Sequence, residues 1–100
     1  MQYEVVYLSI FLQDIRDVTN YISDVLLNAE AANSLLDELE SRIDVVRNDP
    51  YIALKYNGNA NLDDETYWFS VKNYMVFYVI NDNVIEFRRF LYSRRNFDSL

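Results

Sequence analysis

The sequence predicts an α+β fold: an N-terminal strand, an antiparallel helical hairpin, and then a three- to four-stranded antiparallel sheet. Three observations predict it. Apolar residues recur at spacings of three and four in the first half of the chain, as on one face of a helix. In the second half they alternate with polar residues or run unbroken over strand-length stretches. The single proline and the single glycine, Pro50 and Gly58, punctuate the join between the halves. With 100 residues, 51% of them hydrophobic, the chain can build one modest core, so residues 1–100 are read as one domain.

Tyr3-Glu4-Val5-Val6-Tyr7-Leu8 is an aromatic and β-branched run suited to a first strand. Ser9 is a candidate N-cap for the helix after it, with Ile15, Val18, Ile22 and Val25 on the apolar face and Asp14, Arg16, Asp17 and Asp24 elsewhere on the wheel. That helix is expected to end near Leu27. Asn28 then caps a second helix with Glu30 in its first turn, where the dipole favours an acid. Ala32, Leu35, Leu36, Leu39, Ile43 and Val46 form its stripe, and Asn48-Asp49-Pro50 ends it. Tyr51 to Tyr56 reads as a short extended edge, and Asn57-Gly58-Asn59-Ala60-Asn61 as a loop. From Thr66 to Val71, Tyr67, Phe69 and Val71 alternate with Trp68 and Ser70 as in a half-buried strand. Tyr74 to Ile80 is apolar throughout and is expected at the sheet centre. Asn81-Asp82-Asn83 supplies a tight turn, and Val84 to Tyr92 returns to complete a meander.

Composition removes whole classes of chemistry. The chain has no cysteine and no histidine, which excludes disulfides, thiolate or imidazole metal sites, cysteine nucleophiles and histidine-based triads. No acidic spacing matches a known metal loop, so neither a metal nor another cofactor is expected. No long apolar run and no leader-like N-terminus is present, and a cytoplasmic protein that does not enter the membrane is expected. The net charge of −7 is uneven: residues 1–50 carry ten acids against three arginines, whereas residues 66–100 carry five bases against three acids. The acidity opposes general nucleic-acid binding, yet the C-terminal arginines remain able to meet a phosphate or an acidic peptide.

Val71-Lys72-Asn73-Tyr74-Met75-Val76-Phe77-Tyr78, followed by Arg89-Phe90-Leu91-Tyr92-Ser93-Arg94-Arg95-Asn96, resembles the signature of the RelE/ParE toxin family in order and spacing. Tyr7-Leu8, Tyr21-Ile22, Ala31-Ala32, Leu35-Leu36, Leu39 and Pro50 fit the same family, so the resemblance spans the chain. It implies a toxin of a type II toxin-antitoxin system of the plasmid-stabilisation kind, neutralised by a cognate antitoxin in a hetero-oligomer. The antitoxin is expected to lay an amphipathic helix and an extended segment across the hairpin and the sheet, with acidic side chains meeting Arg89, Arg94 and Arg95. RelE-like members cleave messenger RNA on the ribosome, and ParE-like members poison DNA gyrase. Met75 stands where ribonuclease members place an arginine, and Trp68 follows Tyr67 where many relatives have Tyr-Arg. These departures favour the ParE-like branch. A ribosome-dependent endonuclease and a degenerate, non-toxic antitoxin-binding relative are the alternatives.

A ribonuclease site would draw on Lys72, Arg89, Tyr92, Arg94 and Arg95, with the cations stabilising phosphate charge and Tyr92 donating a proton; no residue offers an evident base near neutral pH. As binding residues, Arg89, Tyr92, Arg94, Arg95 and Trp68 are the candidates for partner contact, and simple ion pairing of the arginines is the competing reading. Strand alternation sends Arg88 and Arg89 to opposite faces, leaving Arg88 solvated or paired with Glu86 or another acid and grouping Arg89 with Ile85, Phe87 and Leu91. The aromatics read as core and cross-strand packing ahead of base stacking by Tyr67, Trp68, Tyr74 or Tyr92. Asp37, Glu38, Glu40 and Asp44 read as a solvated helix face.

Overall fold

In the computed structural model, which describes residues 3–55 and 66–93, one sheet carries the helical hairpin on one face. Strand β1 (Glu4–Tyr7) leads into helix α1 (Ser9–Asn20), a π turn (Tyr21–Val25), helix α2 (Ala29–Asn48) and a 3₁₀ turn (Pro50–Ile52). Strands β2 (Leu54–Lys55), β3 (Thr66–Val71), β4 (Tyr74–Asn81) and β5 (Val84–Tyr92) follow. The spatial order is β1-β5-β4-β3-β2. The last three strands form the expected antiparallel meander; of the extended edge expected at Tyr51 to Tyr56, Tyr51 and Ile52 lie instead in the 3₁₀ turn, and Leu54–Lys55 supplies β2 at the sheet edge. The loop expected at Asn57–Asn61 lies outside the described residues.

The sheet is mixed and not purely antiparallel, because β1 runs parallel to β5, with Glu4 N–H donating to Asn83 O at 2.9 Å and Leu8 N–H to Phe87 O at 3.1 Å. A strand of four residues has too little pattern to announce its partner. The direction is set by the hairpin, which carries the chain across the sheet face and back before the meander begins.

The first helix differs from expectation at both ends. Leu8 occupies the cap position without a side-chain bond, and Ser9 is already helical. After Asn20 the helix widens, with Leu26 N–H reaching back five residues to Tyr21 O. Thr19 precedes the change and turns its hydroxyl onto the carbonyls of Ile15 and Arg16, competing with regular helical bonding. Leu27 then takes a left-handed φ of 53°, unfavourable for a branched residue, and is 83% exposed. Asn28 caps α2 as expected, its side chain accepting from Ala31 N–H at 3.0 Å.

Ala32, Leu35, Leu39, Ile43 and Val46 of α2 are buried, but Leu36 of the predicted stripe is exposed. Ile15 and Val18 of α1 and Ile22 of the π turn pack against the core, while Val25 at the end of that turn is exposed. The anchor of α1 is Phe11, absent from the predicted stripe and fully buried. Its ring lies 5.5 Å from Phe87, 5.8 Å from Tyr7 and 6.5 Å from Phe90. The aromatics therefore fill the core largely as their strand positions suggest.

Tyr78, wholly buried at the sheet centre, donates its phenol proton to Pro50 O at 2.6 Å and so ties β4 to the 3₁₀ turn that follows α2. Burial pushes this phenol far above its ordinary value, with Tyr67 and Asp49 adding to the effect. The folded state thus holds the proton more tightly than the unfolded chain. The resulting stabilisation is complete below about pH 10 and is lost as pH rises from there toward the folded value. Tyr78→Phe is expected to cost about 1 kcal/mol at neutral pH. Urea midpoints of the two proteins should converge above about pH 10; a constant gap would show that Tyr78 does not carry the alkaline instability.

Candidate partner-binding site

The sequence-nominated residues separate into distinct places. Lys72 and Tyr92 meet in an open groove of about 1040 Å³ between the tip of the hairpin and the β3–β4 turn. Lys72 is the first loop residue of the two-residue turn before Tyr74 and takes a φ of 53°, a conformation that tight hairpins demand. Tyr74 and Tyr92 face each other across β4 and β5 with ring centroids 5.5 Å apart, and Tyr74 also stacks on Phe90 at 5.0 Å. The Tyr74 phenol is pushed up by burial and then by the neighbouring Tyr92 and Tyr21 hydroxyls. That makes it a weaker acid. The hairpin contributes Asp17, Tyr21, Glu30 and Leu35 to the same groove.

Arg89 lies elsewhere. A bulge in β5 shifts the register from Phe77↔Arg89 to Tyr78↔Phe87, with Arg88 as the extra residue. The expected grouping of Arg89 and Leu91 with Ile85 and Phe87 is therefore corrected: Phe90, opposite Val76, takes the buried place beside Ile85 and Phe87. Beyond Tyr7, where β1 ends, α1 covers the edge of β5. There Asp14 accepts Phe90 N–H at 3.0 Å in place of a further strand. The same carboxylate holds Arg89 in a two-point grip, at 2.8 Å from Nε and 3.0 Å from Nη2. Asp14 is only 12% exposed and the Arg89 side chain 39%. The hydrogen bond to Asp14 raises the guanidinium above its already high value, against a lowering by burial, so it stays charged at every working pH. Arg88 pairs with Glu86 at 2.8 Å, one of the outcomes left open for it.

Trp68 is partly buried in β3 opposite Phe77 and lines neither groove. Met75 is buried in β4 opposite Leu91. Arg94 and Arg95 lie outside the described residues. A second, smaller groove runs between α1 and α2, floored by Phe11, Leu39 and Ile43 and flanked by Leu12, Glu40 and Asp44. Among the described residues no group of three or more acids, cysteines or histidines could hold a metal ion. No described helix is long and apolar enough to cross a membrane.

Sequence reasoning placed Asp14 off the apolar face of the first helix and did not group Asp17 and Glu30 with Lys72 and Tyr92. Asp14 had a legible signal: it stands three residues after Phe11 and four before Val18, an acid on the apolar face itself. Such an acid needs a partner.

The fold is shared with solved toxin-antitoxin structures. A chain of a chromosomal ParDE system from P. aeruginosa superposes with a TM-score of 0.73 at 8% identity, covering 91% of this chain and 96% of that one. A chain of the RelE-RelB complex from the archaeon Pyrococcus horikoshii OT3 gives 0.67 at 15% identity, covering 96% of this chain and all of that one. No curated protein sequence matches the chain. The family described as the ParE toxin of the type II toxin-antitoxin system parDE matches residues 5–97, nearly the whole chain, and this protein belongs to that family of toxins.

Proposed function

We propose that this ParE-family toxin acts by binding and not by bond cleavage, with DNA gyrase as its target and a cognate antitoxin as its neutralising partner. The observation that carries the reading is the Asp14–Arg89 pair, which commits the motif arginine to holding α1 on β5. Met75, buried in β4, offers a phosphate nothing, and the chain has no histidine to serve as a base. The groove around Lys72 and Tyr92 also carries Asp17 and Glu30, which oppose a bound phosphate. The antitoxin part of the reading is supported by the apolar floor of the α1–α2 groove, which suits an amphipathic helix.

The test is inducible expression in a bacterium lacking the antitoxin, with growth, bulk messenger RNA and the DNA-damage response followed together. Growth arrest with intact RNA and an induced damage response is expected. Rapid RNA loss would instead make the protein a ribosome-dependent endonuclease. Unimpaired growth would mark it as an inactive relative that only binds antitoxin.

A further inference from the structure

We infer that the groove between the hairpin tip and the β3–β4 turn receives an arginine or lysine side chain from a segment of the antitoxin, so that this toxin is gripped through a basic contact. The inference rests on the reading that an antitoxin holds the protein. It reverses the polarity expected from the sequence, in which acidic side chains of the partner would meet this chain's arginines.

The groove has the parts that a long cationic side chain needs. Tyr21 from the π turn, Tyr74 from β4 and Tyr92 from β5 bring three phenol rings to one concavity. Aromatic faces attract a cation, and most strongly a guanidinium that can lie flat on one of them. Asp17 on α1 and Glu30 on α2 line the same space and supply the charged partners. Leu35, almost fully buried, and Ile22 make an apolar floor for the methylene stem.

An anion is the competing occupant, since Lys72 and the amino end of α2 are both present. The amino end is already served: Asn28 accepts from Ala31 N–H, and Glu30 stands in the first turn. An anion would therefore meet two carboxylates against one exposed amine. The wider field agrees, because residues 1–50, which form both helices, carry ten acids against three arginines. A second copy of this chain would bring another net charge of −7 to the same surface, which disfavours self-association there.

The experiment titrates the full-length toxin with two short helix-forming peptides that differ only at one central position, arginine in one and glutamate in the other, while NMR follows the tyrosine ring resonances. The arginine peptide is expected to bind about tenfold tighter and to shift the Tyr21, Tyr74 and Tyr92 rings. The paired substitutions Asp17→Asn and Glu30→Gln should abolish the preference, whereas Asp37→Asn, on the outer face of α2, should leave it intact. Equal binding of the two peptides, or tighter binding of the glutamate peptide, would overturn the proposal. A gain in arginine-peptide affinity on replacing Arg94 and Arg95 by glutamine would assign the groove to the chain's own arginines and overturn it also. Because the readout is binding by the toxin alone, loss of growth arrest in the expression experiment would sink the toxin reading without altering these outcomes.

Discussion

Replacing Phe11 with alanine is expected to destabilise the protein by about 3–5 kcal/mol, more than either Asp14→Ala or Tyr78→Phe. Phe11 has no exposed surface, and its ring meets those of Tyr7, Phe87 and Phe90, linking β1, α1 and β5 at one point. Removing it leaves a cavity among stiff aromatic neighbours that cannot close around it. Small domains have about 5–15 kcal/mol of total stability, so the variant should sit close to unfolding at growth temperature. Phe11→Leu, which retains most of the volume, should cost clearly less. Urea unfolding of the three proteins decides the matter. A loss below about 1 kcal/mol for the alanine variant would mean that α1 is held by something other than this ring. The consequence for function follows from position, since α1 also carries Asp14 to Arg89 and Phe90 and places Asp17 on the groove beside Lys72.

Asp14→Ala is expected to cost about 2–3 kcal/mol, because it removes a charged acceptor from both the Phe90 N–H and the Arg89 guanidinium. The cost stays below that of breaking a fully buried pair because the Arg89 side chain is 39% exposed and water replaces part of the contact. Asp14→Asn keeps an acceptor for the backbone and should fall between wild type and alanine. Arg88→Ala, which disturbs a more exposed pair with Glu86, is expected to cost under about 1 kcal/mol. A double-mutant cycle of Asp14→Ala with Arg89→Ala should give a coupling of about 1–3 kcal/mol, against near zero for Asp14→Ala with Arg88→Ala. The same variants separate structure from activity. If Arg89 holds α1 in place, toxicity and stability fall together in Arg89→Ala. Loss of toxicity at unchanged stability would return Arg89 to the list of residues that meet a target.

Much of the fold was legible because it is written in local, periodic form. The α2 stripe, the cap at Asn28, the alternation of Tyr67, Phe69 and Val71, and the unbroken apolar β4 all involve neighbours separated by a few residues. The errors cluster where a long-range contact overrides the period. The β5 bulge moves Phe90 into the core where alternation nominated Leu91, and Asp14 on the adjoining helix stabilises the result. Val25 is exposed because the π turn rotates the end of the hairpin away from the regular helical register. The candidate site was half legible: motif resemblance nominated Lys72 and Tyr92, but nothing local foretold that Asp17 and Glu30 would line the same groove.

The sequence by itself determined the family, the alternation of helical and extended segments, and the chemistry the chain lacks, because composition, motif spacing and periodicity are properties of the chain alone. The tertiary structure alone decided that β1 joins the sheet in parallel, that Arg89 is committed to Asp14, and that acids and tyrosines share one groove with Lys72. Asp14 and Arg89 lie 75 residues apart, and no repeating pattern connects them. A charge's role is set by the partner that folding brings to it, and that partner is a matter of packing.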